Sequence, residues 1–154
     1  MKARLRPLPA AGAGLLSVLG SAVHGWGFLA TDLQFARLAN GLGFLTPLLM
    51  VGPLGLGLLA VGLLEAAAAA GMFAGAIMLL ARRRTGIWVT MVACAPALLA
   101  GLLLVSGIVP APLVFGKTMA GLPTVAFAWT IFASALITAT GTVALAVSRP
   151  ARVR

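Results

Sequence analysis

Long apolar runs separated by short polar breaks set the pattern of this chain. The first runs from about Leu8 to Ala30, the second from about Leu54 to Ala81, the third from about Ile87 to Val109 and the fourth from about Val125 to Val147. Each exceeds the roughly 18 residues that a helix needs to cross the hydrocarbon core of a bilayer. The pattern predicts an all-α integral membrane protein, a four-helix bundle forming one transmembrane domain over residues 1–154, with no length left for a soluble catalytic domain.

The two connections on the far side differ in character. In "TDLQFARLANGLGFLTPLLMVGP", Leu33, Phe35, Leu38, Leu42 and Leu45 alternate with Asp32, Gln34, Arg37 and Asn40. This mixture suits either a short helix lying at the outer interface or an irregular cap over the bundle, and Pro47 and Pro53 end it before the second span. The other connection, "PAPLVFGKTMAGLP" at 110–123, carries three prolines and two glycines, the pattern of a non-helical re-entrant or surface cap. The two halves of the chain do not mirror one another, so the inverted-repeat plan of larger transporters finds no support.

Charge orients the spans. Lys2, Arg4 and Arg6 precede the first run, Arg82, Arg83 and Arg84 follow the second, and Arg149, Arg152 and Arg154 follow the fourth, leaving only Arg37 and Lys117 of the 11 basic residues elsewhere. Basic residues concentrate in cytoplasmic loops. With four spans these three clusters share a side, which predicts N-in, C-in topology and argues against a dual-topology dimer. A cleaved signal peptide is the competing reading of the basic start and the small residues of "LGSAVHG", but its removal would leave three spans and break the agreement among the clusters. The net charge of +9 is therefore a topology signal and not a nucleic-acid footprint, because no folded basic face with interleaved aromatics exists. Arg82, Arg83 and Arg84 also suit anionic lipid head groups, and the bilayer is the first expected partner. The preference for arginine over lysine, with abundant alanine, glycine and leucine, suggests a high-GC bacterial genome and hence a bacterial plasma membrane.

Against an apolar background, two ionisable side chains stand out: Glu65 in "LLEAAAAAG" and His24 in "HGWG". Each costs roughly 2.5 to 3.5 kcal/mol at a helix centre on insertion scales. At 1.5 Å per residue, Glu65 lies roughly 25 Å from Arg82, which puts it in the outer part of the core at the depth expected for His24. A pair between them reduces the desolvation cost of each. Ser17, Gly20, Ser21 and Gly27 recur around His24, and Thr130, Ser134, Thr138 and Thr142 form a hydroxyl stripe on the fourth span. The candidate intramembrane polar site is thus Glu65, His24, Ser21, Thr130 and Ser134. It reads either as a place to handle a proton, a cation or a polar head group, or as buried polar glue that sets helix register. Ala67, Gly71 and Gly75, at intervals of four, let a neighbouring backbone approach closely.

The remaining features narrow the function classes. Pro96 should open the hydrogen-bond ladder of the third span near Val92. Trp26, Phe28 and Trp88 read as interfacial anchors, while Trp129 could anchor or pack. Cys94 is alone, which excludes an intrachain disulfide and suits a small packing residue. One histidine and two carboxylates fall short of a metal site, and a single histidine excludes a haem held by two histidines of one chain. "GPLGLG" lacks the strand, turn and lysine of a phosphate loop. The helix plan, with "HGWG" near the end of the first span, resembles in architecture the small bacterial four-helix membrane proteins, the DoxX-like group among them. Two functions are expected from these features. One is a non-enzymatic subunit or scaffold without cofactors, acting through helix contacts in a homo-oligomer or larger membrane complex. The alternative is a small oligomeric transporter or channel for a proton, cation or small polar solute using Glu65 and His24.

Overall fold

The computed structural model describes residues 5–110 and 124–147. The connection 111–123, with its expected cap and Lys117, lies outside the described residues, as do Lys2, Arg4 and the C-terminal arginines. The described residues form helices α1 (Pro7–Leu42), α2 (Thr46–Val51), α3 (Pro53–Leu80), α4 (Thr85–Val105) and α5 (Thr124–Val147), with a 3-10 turn at Gly43–Leu45, and no strand among them. Four of the helices are long and apolar enough to cross a membrane.

Proline opens α1 and α3, at Pro7 and Pro53. The first helical position suits it, since its missing N–H would have no partner there and its φ is already helical. Gly43 closes α1 with φ 53°, a left-handed conformation that glycine adopts without a Cβ penalty. The first connection departs from both expectations for it. Instead of a separate interfacial helix or an irregular cap, residues 31–42 continue α1 to a length of 36 residues. The reason is that Phe35 and Leu38 prolong the buried face of α1 and pack against the core cluster built around Leu58 and Val61. Residues 31–40 contain neither proline nor glycine to interrupt the helix.

The buried positions follow one rule in all four long helices. On α1 they include Ala10, Ser17, His24 and Thr31, and between them Ala13, Gly20 and Gly27. On α3 the same spacing gives Leu58, Glu65, Met72 and Leu79, with Val61, Ala68 and Gly75. On α4 it gives Ile87, Cys94 and Gly101, with Thr90, Ala97 and Leu104, and on α5 Ala128, Ala135 and Thr142, with Ile131, Thr138 and Leu145. Each series repeats every seven residues, with the second offset by three. This is the a/d pattern of a coiled coil, and its period of 3.5 is that of helices wound around one another with a left-handed supercoil.

α1 packs on α3, α3 on α4, α4 on α5 and α5 back on α1. Leu5, Ala10, Leu79, Ile87 and Leu145 share one cluster, so the N-terminal segment, the α3–α4 turn and the end of α5 meet at one end of the bundle. Arg82 ties that end together: its Nε donates to the Leu5 carbonyl (3.1 Å) and the Leu5 N–H donates to the Arg82 carbonyl (3.4 Å).

The distribution of polarity is inverted relative to a water-soluble bundle. Ser17, His24, Thr31, Glu65, Thr90, Thr138 and Thr142 are buried, whereas Leu15, Leu63, Phe73, Trp88, Val92, Leu102 and Ile137 face outward. An outer surface of this kind needs an apolar solvent.

Helix proximity depends on the glycines of α3. A Cβ on Gly71 would lie 2.6 Å from the Cβ of Ala93, and one on Gly75 would collide with Thr90 Oγ1 and approach the Thr90 backbone N to 3.0 Å. Ala67, one position off the buried series, is exposed. Gly75→Ala is expected to destabilise the fold by about 1–3 kcal/mol through overpacking. Gly12→Ala, at a position with nothing within 4 Å, is expected to be neutral or stabilising by up to about 1 kcal/mol. Reversible unfolding of both variants in mixed micelles measures the contrast, and equal effects would contradict this packing.

Candidate functional site

The seven-residue series places His24 on α1 and Glu65 on α3 at inward positions, and the antiparallel packing of the two helices brings them level. His24 Nδ1 lies 2.6 Å from Glu65 Oε2, and both side chains are fully buried. His24 stands midway along α1, as Glu65 does along α3. The site therefore occupies the middle of the bundle's height.

Hydroxyl bookkeeping assigns the ring protons. Ser134 donates its single proton to the Ile131 carbonyl (2.8 Å). At 3.3 Å from His24 Nε2 its oxygen accepts in the tautomer that carries a hydrogen at Nε2. The 2.6 Å contact between Nδ1 and Oε2 holds one proton between them. In that tautomer the pair is a neutral unit that shares a single proton.

The hydroxyls of the sequence-predicted site divide. Ser21 donates to the Ala69 carbonyl across the α1–α3 interface (2.8 Å), and Ser134 reaches His24. Thr130 is exposed and donates to Ala126 of its own helix, so it takes no part. Thr138 and Thr142 donate to the carbonyls four residues earlier, as hydroxyls in membrane helices often do.

Space for the carboxylate comes from Gly27, one turn beyond His24. A Cβ there would stand 2.9 Å from Glu65 Oε2 and 3.0 Å from Ile131 Cδ1. Apolar clusters flank the unit on both sides along the axis. Ala30, Leu58, Val61, Leu104, Phe127 and Ile131 lie toward the α2 end, and Ala68, Met72, Ala93, Cys94, Ala97 and Ala135 toward the arginine end. Cys94 is thus a small packing residue in one of these layers. Among the described residues Glu65 Oε1 and Thr90 Oγ1 are buried oxygens with no hydrogen-bond partner. Among the described residues no three His, Cys, Asp or Glu side chains converge on one point.

Other features named from sequence lie apart from this centre. Pro96 sits inside an unbroken α4, and Val92, whose ladder it interrupts, faces outward. Trp26, Trp88 and Trp129 are exposed on the apolar surface, Trp129 with an edge-to-face contact to Phe132 at 6.0 Å. Thr90 and the positions of Gly27 and Ile131 against Glu65 escaped sequence reasoning. The seven-residue series was the available signal, since it puts all four residues on the inward face.

No protein-family model, curated protein or solved structure matches this chain, so the resemblance in architecture remains one of helix number and length.

Removing either member of a buried pair strands the other. His24→Leu and Glu65→Leu are each expected to destabilise the fold by about 3–5 kcal/mol. The double variant should lose less than the sum, with a coupling of more than about 1 kcal/mol. Unfolding of all four proteins in mixed micelles completes the cycle, and additive losses would mean that the two side chains act independently.

Proposed function

We propose that this protein is a non-enzymatic, multi-pass subunit of a bacterial plasma membrane, threaded N-in and C-in, that acts through helix contacts with further copies or within a larger membrane complex. The observation that carries this reading is that the two intramembrane ionisable groups bond to each other, fully buried, between two apolar layers. A solute pathway through Glu65 and His24 would need polar access from at least one end. Here their hydrogen bonds join α1, α3 and α5, which is the work of a register-setting core.

The threading follows from the basic clusters. The N-terminal segment and the α3–α4 turn, with Arg6 and Arg82 to Arg84, meet at the end where α5 also finishes. Basic residues favour the cytoplasmic side and its anionic lipid head groups. The outer faces of α3 and α5 remain apolar, with Leu63, Phe73, Ile77, Trp129, Leu136 and Ile137 available to lipid or to another helix.

Two measurements test the reading. A cysteine introduced as Arg83→Cys should react with a membrane-impermeant thiol reagent in inverted vesicles and not in intact cells; labelling from outside would reverse the threading. Reconstituted wild-type protein should conduct no pH-gradient-driven flux in liposomes, and Glu65→Gln should lower thermal stability or change the oligomeric mass in nanodiscs. Flux in wild type that Glu65→Gln abolishes, with stability and mass unchanged, would replace the subunit reading with transport.

A further inference from the structure

We propose that the His24–Glu65 unit is a proton-binding site whose single shared proton holds α1 against α3, so that the bundle is tightest when the unit carries that one proton and loosens when it gains or loses one. This deepens the reading of the pair as a register-setting core and rests on it.

The argument begins with what surrounds the pair. α1 presents the hydroxyls of Ser17, Ser21 and Thr31, which donate to the carbonyls of Ala13, Ala69 and Gly27. α3 adds no polar side chain to Glu65 among its buried residues. α4 brings the Thr90 hydroxyl, against Gly75, and the Cys94 thiol, in the layer with Ala68 and Met72. α5 contributes Ser134, Thr138 and Thr142, whose protons go to backbone carbonyls. Among the described residues no lysine, arginine or aspartate is buried. No neighbour among the described residues therefore stands ready to neutralise a net charge on the unit.

Each departure from one proton has a definite structural consequence. Loss of a proton leaves either the Nδ1 lone pair facing the carboxylate or, with Nδ1–H retained, a bare Nε2 that only the Ser134 hydroxyl can reach. The unit then carries a negative charge in an apolar interior. Gain of a second proton falls on Oε1, the carboxyl oxygen without a partner. Nδ1–H still donates to Oε2, but the new O–H finds no acceptor and the unit carries a positive charge. In both cases the relief available is separation of the two helices at this level, which admits water. The contacts that separation would disturb are the close ones: Gly27 against Glu65, Ser21 against Ala69, and Gly20 against Met72 and Thr138.

The test compares wild type with the double variant His24→Gln/Glu65→Gln in nanodiscs of fixed lipid composition from about pH 4 to pH 10. The wild-type thermal midpoint is expected to pass through a maximum and to fall by at least roughly 2–4 °C toward each extreme relative to the variant, whose profile carries only the exposed groups. Parallel profiles would overturn the proposal. Nitrogen-15 histidine NMR of the wild type supplies a reading that survives failure of the variant to fold. The expected spectrum at the stability maximum shows a protonated Nε2 and a strongly deshielded proton shared at Nδ1, both changing at the pH where stability falls. A histidine signal that does not change across the range would sink the idea. Parallel profiles without flux would remove the proton site and leave the subunit reading in place, whereas flux abolished by Glu65→Gln, with stability unchanged, removes that reading by its own test.

Discussion

A carboxyl group and an imidazole buried in an apolar bundle persist because each is the other's partner, and most of the local geometry around mid-height follows from that pairing. The 2.6 Å contact between His24 and Glu65 sets α1 and α3 level with each other. Gly27 is small because a Cβ would press on the carboxylate. Ser134 brings α5 to the far side of the imidazole, and the Ser21 bond to Ala69 repeats the α1–α3 link one helical turn away. Three helices are thereby registered at a single height. Apolar layers, which are non-directional and tolerate sliding, do not specify register in this way.

The second determinant is the seven-residue series, in which small side chains predominate on α1 and recur on the other helices. In water, association of such helices would rest on burying large apolar side chains. In a bilayer the surroundings are as apolar as the interior, and packing of close-approaching backbones together with interhelical hydrogen bonds takes over. The distribution seen here fits that solvent: Gly20, Gly27, Gly75, Ala68, Ala97 and Ala135 face inward, while Leu15, Leu63, Phe73, Trp88 and Leu102 face outward. α3 and α4 approach through Gly71 and Gly75 against Ala93 and Thr90. α1 and α3 approach through Gly14 and Gly27 against Leu80 and Glu65. The polar pair and the glycines therefore work together, since a tight interface keeps water and lipid away from the pair.

Much of this was legible in the residues, and the misses share a cause. Hydropathy marks four spans because each must cover the hydrocarbon core with its own length. The start of α3 at Pro53 and its stop before Arg82 follow from proline chemistry and charge. The end of α1 was misplaced by twelve residues, because Asp32, Gln34, Arg37 and Asn40 lower the local hydropathy although Phe35 and Leu38 continue the inward face. Hydropathy averages over the helix surface, whereas burial selects one side of it. Counting in steps of four, which drifts off the inward face, likewise picks out Ala67 and Thr130, which the seven-residue series leaves outside the core.

Sequence by itself determined the number of long apolar helices and the two ionisable residues in need of partners. These depend on composition and spacing along a single chain, and a charge in an apolar run requires a partner whatever the fold. The pairing of Glu65 with His24 was expected from their shared depth, and tertiary structure alone decided that Ser134 and not Thr130 completes the contact, that among the described residues Glu65 Oε1 has no donor and that the site sits at mid-height of the bundle. Those outcomes depend on the rotation and axial register of helices packed against each other, quantities that arise only when four side-chain surfaces interlock.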